Sequence, residues 1–132
     1  MPHTIEKPEA QWREELDPEQ FRIARLKGAE RPFTGEYWNV WDKGRYACRC
    51  CGAALFDADA KYDAGTGCAT FHSEAQPGNI EQIDDFSRGN YRIEAACRHC
   101  GAHLGHIFED GPAPNGQRYS INSASLRLKK QP

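Results

Sequence analysis

Long apolar runs are missing from this 132-residue chain. Nothing in it approaches the roughly 20 consecutive apolar residues of a membrane helix, so no membrane partner is expected. Charge of one sign is missing too. Seventeen Lys and Arg against 19 Asp and Glu leave a formal net charge of −2, with no basic run, which argues against a nucleic-acid surface. Residues 1–30 are polar and charged and hold no apolar core of the secretory type. Low-complexity tracts and internal repeats are absent, apart from two CxxC units. What remains is ordinary for one soluble domain with its own core: 39% hydrophobic and 27% charged residues.

Six cysteines stand out: Cys48, Cys50, Cys51, Cys68, Cys97 and Cys100. An even count in a small secreted scaffold would suggest disulfides. Without an export signal, two CxxC pairs read as zinc ligands in a reducing, cytoplasmic setting. Cys48 and Cys51, with Cys97 and Cys100, place two thiolates in each of two tight turns, and Gly52 and Gly101 follow them. Four thiolates make a closed tetrahedral site for one structural zinc, with no open position for catalysis. Because 46 positions separate Cys51 from Cys97, the metal would staple distant segments. Two redox CxxC motifs, or a pair of disulfides, are the alternative. His99 and Cys50 read as spacers within the knuckles.

Along the chain, a short helix is expected from Pro8, with Trp12 and Leu16 as its apolar contacts. A second, better marked one has Asp17 as cap, Pro18 at its first position and Gln20 as capping-box partner. Phe21, Ala24 and Leu26 form its apolar stripe, and Gly28 is its expected stop. From Arg31 onward short β-type runs predominate: Glu36–Trp41, Arg45–Cys48, Tyr91–Ala96, Gln117–Asn122 and Ser125–Lys129. Asp57–Asn79 lacks periodicity and reads as loop. These signals predict an N-terminal helical segment (1–29) followed by a mainly antiparallel β domain (30–132).

Between Cys97 and Ser125 the sequence runs CRHCGAHLGHIFEDGPAPNGQRYSINSAS. The ordered motifs HLGH, DGP, RY and INSASL, the flanking CxxC pairs and the upstream KYDAGTG segment resemble the B-type methionine-R-sulfoxide reductases. The likeness covers Glu30 to Leu128. It implies a mainly β fold in which two antiparallel sheets are bridged by a zinc-binding double CxxC (Mss4-like, or β-tent), with short N-terminal helices. It also implies an oxidoreductase of oxidative damage repair. Its substrate would be methionine-R-sulfoxide, free or in oxidised proteins, and thioredoxin or a similar thiol would be its reductant.

By the same resemblance, His103 and His106 hold water and supply protons to the sulfoxide oxygen. Asp110 orients a histidine, Arg118 supports the nucleophile's charge, and Asn122 fixes local hydrogen bonds. Phe71, Phe108 and the residue at position 68 would contact substrate. Gly105 between the histidines suggests a bulge that turns both to one face, since residues three apart in a regular strand face opposite ways. The departures are specific. Ser120 stands at the family's nucleophilic cysteine, and a hydroxyl has no oxidation ladder by which to surrender two electrons. Cys68 replaces the tryptophan that packs on the substrate methyl group, and Ala69 replaces a proline.

Three readings follow. Ser120 is an engineered replacement in a reductase. Alternatively, Cys68 is a relocated nucleophile or resolving thiol in a natural paralogue. In the third, the chain is a catalytically silent zinc β module that binds oxidised methionine or a protein partner.

Overall fold

The structure is a computed structural model and describes residues 3–131. Two short helices, α1 (Glu9–Glu15) and α2 (Pro18–Ala24), precede eight strands: β1 (Gly44–Cys48), β2 (Ala54–Asp57), β3 (Ala69–Phe71), β4 (Ile80–Asp85), β5 (Arg92–Cys97), β6 (His103–Phe108), β7 (Arg118–Ile121) and β8 (Leu126–Lys130). They form two antiparallel sheets, ordered β2-β1-β8 and β3-β7-β6-β5-β4. The fold is mainly β, as the sequence predicts. No helix among the described residues is long and apolar enough to cross a membrane.

The start of α2 follows its sequence signal closely. Asp17 accepts from the Gln20 backbone N–H at 2.7 Å, and the Gln20 side chain accepts from the Asp17 N–H at 3.1 Å. Its end does not. The left-handed residue is Lys27 (φ +61°) rather than Gly28. Gly28 is needed for space: its N–H returns to the Arg22 carbonyl at 2.9 Å, and a Cβ there would lie 2.9 Å from that oxygen.

The two sheets close on one core. Phe71 stacks on Phe56 at 4.2 Å between ring centroids, and Tyr46 meets Phe71 edge-on at 5.2 Å. Trp12, Leu16 and Phe21 from the helices belong to the same cluster as Leu55, Leu104, Ile121 and Leu126. Each large apolar side chain fully buried in this way contributes about 1.5–3 kcal/mol.

Two β assignments change. Glu36–Trp41 forms turns rather than a strand, because Tyr37 is used for packing: its N–H donates to Ser123 Oγ and its ring lies edge-on to Tyr46. Asp57–Asn79 is not all loop, since it contains a 3-10 turn at Ala58–Ala60 and β3. Three residues are too few for a period-2 pattern to show.

Candidate active site and metal centre

The two CxxC turns have the same local geometry. Gly52 and Gly101 both take left-handed φ (+83° and +78°), and their N–H groups return to the carbonyls of Cys48 and Cys97 at 2.8 Å each. The result folds each pair of thiols inward. Cys48 and Cys100 Sγ are 3.7 Å apart, Cys51 and Cys97 Sγ 3.6 Å, and all four sulfurs lie within 4.8 Å of one another. A tetrahedron of sulfurs at about 2.3 Å from a zinc ion has edges of about 3.8 Å, so the donor set and its size fit that metal. Crowded together, the thiols divide their protons unevenly: hydrogen bonds from Cys48, Cys50, Cys51 and Cys97 drive Cys100 well below an ordinary thiol. Arg25, just past α2, donates to the Cys100 carbonyl at 3.1 Å and reaches its sulfur at 3.8 Å.

The histidines are set by the same hairpin. Ala95 pairs with Gly105 but Ala96 pairs with His103, so Leu104 is an extra residue in β6. Gly105 absorbs this bulge at φ +157°, where a Cβ would collide with the Ser120 carbonyl of β7. His103 and His106 consequently share a face, with ring centroids 5.5 Å apart at 70°. His106 sits directly across from Ser120 on one side and Glu94 on the other.

Each imidazole has its own carboxylate, and each carboxylate its own cation. His103 Nδ1 lies 2.7 Å from Glu94 Oε2, and Lys27 Nζ donates to Glu94 Oε1 at 3.1 Å. His106 Nε2 lies 2.8 Å from Asp85 Oδ2, which also accepts from Arg92 at 3.2 Å. Burial alone would raise Glu94, but hydrogen bonds from His103 and Lys27 outweigh it and hold the carboxyl below its usual range. Hydrogen bonds from Ser87 and His106 hold Asp85 far below. Burial pushes His106 down, against the pull of Asp85. These groups, with Asn122, line a cavity of about 250 Å³.

The chain is similar to known proteins along most of its length. The SelR domain family matches residues 16–130. The chain is 54% identical over 125 residues to a peptide methionine sulfoxide reductase MsrB of Acinetobacter baylyi, covering 95% of this chain and 90% of that one. It is 56% identical over 123 residues to the MsrB of Cellvibrio japonicus (93% and 88%), and 51% over 127 residues to that of Acinetobacter baumannii (96% and 91%).

The chain belongs to the B-type methionine-R-sulfoxide reductases.

As a member of this oxidoreductase family it arranges its parts unevenly. His103, His106 and Asn122 line the cavity, whereas Ser120, Cys68 and Arg118 lie outside its wall. Asp110 does not orient a histidine. It accepts two hydrogen bonds from Arg118, at 2.8 and 3.2 Å, because the loop after β6 places it beside β7 and leaves the histidines to β4 and β5. Phe71 is no substrate wall, since it points into the core with 0% exposure. Phe108, by contrast, is on the open face under the Arg118 guanidinium, 4.3 Å from ring centroid to carbon. Cys68 is partly exposed, and its sulfur has one weak contact, with the Thr66 carbonyl at 4.0 Å.

The carboxylates Glu94 and Asp85 and the cations Lys27 and Arg92 escape sequence reasoning. A signal existed for one of them: Glu94 is a charge in the middle of an otherwise apolar strand, IEAAC, and a buried charge demands a partner. Glu30 is also missed. Its carboxylate accepts from the N–H groups of Ser123 and Ala124 at 2.8 and 3.0 Å, and so anchors the turn that follows Asn122.

Proposed function

We propose that the cavity face receives methionine-R-sulfoxide, free or within an oxidised protein, and that serine at position 120 withholds the thiol step. The observation carrying this reading is the direct pairing of His106 with Ser120 beside a second, carboxylate-backed histidine. In the reaction a thiol at position 120 would take the sulfoxide oxygen, giving sulfide and a sulfenic acid. Two external thiols would then return the sulfenic acid to thiol, yielding one disulfide and one water. His103 and His106 would hold a water against the oxygen and relay protons to it through that water, with Asn122 fixing the local hydrogen bonds. Arg118 is already engaged by Asp110, which weakens its support for a thiolate. Phe108 offers the apolar contact for the methyl group. Cys48, Cys51, Cys97 and Cys100 hold one zinc with a structural role, and the protein works in the cytoplasm with thioredoxin or a similar thiol.

The test is Ser120→Cys assayed with dithiothreitol on both sulfoxide epimers. Reduction of the R epimer should rise by at least about 1,000-fold, as expected for restoring a nucleophile, with no gain on the S epimer. A folded, zinc-loaded Ser120→Cys protein without epimer-selective turnover would overturn the reading.

A further inference from the structure

A neutral imidazole carries one N–H and one lone pair, and which nitrogen carries which is set by its fixed neighbour. An ionised carboxylate only accepts, so a nitrogen bonded to it must be the one that carries hydrogen. His103 meets its carboxylate through Nδ1, and His106 meets its own through Nε2. We propose that the two histidines are locked in opposite tautomers, and that Glu94 and Lys27 are the positioning residues that fix the first of them. His103 then carries Nδ1–H and leaves Nε2 as its lone pair, while His106 carries Nε2–H and leaves Nδ1. The assignment of these lone pairs to a water that in turn donates to the sulfoxide oxygen rests on the reductase reading. The tautomers themselves do not.

Lys27 is what makes Glu94 a dependable acceptor. The Glu94 side chain is 6% exposed, and its two oxygens are divided between Lys27 and His103. The backbone at Lys27 is left-handed, a conformation disfavoured for a residue with a Cβ. Gly28, which would adopt it freely, is the next residue. The turn after α2 places the strain on the lysine, and the lysine's ammonium is thereby delivered to a strand 67 positions away. The corresponding cation at the other histidine, Arg92, comes from β5 itself.

The difference between carboxylate and amide gives a test. In Glu94→Gln, Lys27 donates only to the amide oxygen, which turns the amide NH2 toward His103 Nδ1. A donor there forces Nδ1 to accept and moves the ring proton to Nε2. Adding Lys27→Met removes that preference, lets the amide oxygen turn back and restores Nδ1–H.

Long-range 1H–15N spectra of the imidazoles in 15N-labelled, zinc-loaded protein read this directly. The native spectrum should show His103 as Nδ1–H and His106 as Nε2–H. Glu94→Gln should invert His103 alone, and the double variant should return it. Like tautomers in the native protein, or a folded Glu94→Gln protein with His103 unchanged, would overturn the proposal. The native spectrum decides the first half even if a variant fails to fold. In the Ser120→Cys background, Glu94→Gln should lower kcat by at least about 10-fold, the direction seen when a catalytic histidine is held in the wrong tautomer. Absence of all turnover in Ser120→Cys would count against the reductase reading and leave the tautomer result standing.

Discussion

The metal centre and the histidine pair share one hairpin, β5–β6, yet they are built in opposite ways. The metal centre lies at the turn, where two thiols three residues apart and a left-handed glycine make a knuckle from local sequence alone. The histidine pair lies within the strands, where each side chain depends on what the neighbouring strand puts opposite it. The first is one local knuckle used twice, with its two copies brought together from separate hairpins. The second is assembled from β4, β5, β6, β7 and the end of α2, and no short stretch of chain contains it.

The contrast predicts very different sensitivities. Cys97→Ser removes one of four ligands from the closed centre, and structural zinc in small domains contributes about 10–16 kcal/mol of apparent binding energy. The expected outcome is loss of bound zinc together with loss of cooperative unfolding, seen by elemental analysis and near-ultraviolet circular dichroism. A well-folded, zinc-free protein would show that the cluster is dispensable.

At the histidine end the effect is smaller and depends on pH. Burial lowers the His106 pKa in the folded protein. Between that lowered value and the ordinary value near 6.5, the unfolded chain binds more protons, so stability falls as pH drops through this window. Urea denaturation at pH 5.5 and 7.5 should show the loss in native protein, and His106→Gln should remove part of it. An identical pH dependence in both proteins would mean that His106 titrates like a solvated ring.

The smallest effect is expected at Asp110. Its pair with Arg118 is largely exposed on the acid's side, with 64% of the Asp110 side chain accessible, and such pairs contribute at most about 1 kcal/mol. Asp110→Ala should change the melting temperature little and leave both imidazole spectra unmoved. A shift in either spectrum would make Asp110 a histidine partner after all.

Legibility in the sequence follows the same divide. The capping box of α2 and both knuckles are relations across three or four residues, and both are present as read. The bulge at Gly105 was legible because a histidine pair three apart needs it. Glu36–Trp41 misled because aromatic, β-type composition also suits turns whose rings fill a core. Phe71 misled because its neighbour Thr70, not Phe71, shares the row of Ser120. Glu94, Asp85, Lys27 and Glu30 act over separations of 9 to 94 residues, and no spacing rule connects them to what they hold.

The turn after α2 is a wiring point. Arg25 reaches Cys100 and Lys27 reaches Glu94, so two residues two positions apart touch the outer edges of both centres. A chain trimmed to begin at residue 30 would keep every thiol and every imidazole from position 48 onward, yet both centres would lose a guardian in one cut. In thermodynamic language the helix end is a shared ligand: whatever secures it at one centre lowers the cost of ordering the other, and whatever frays it is felt at both.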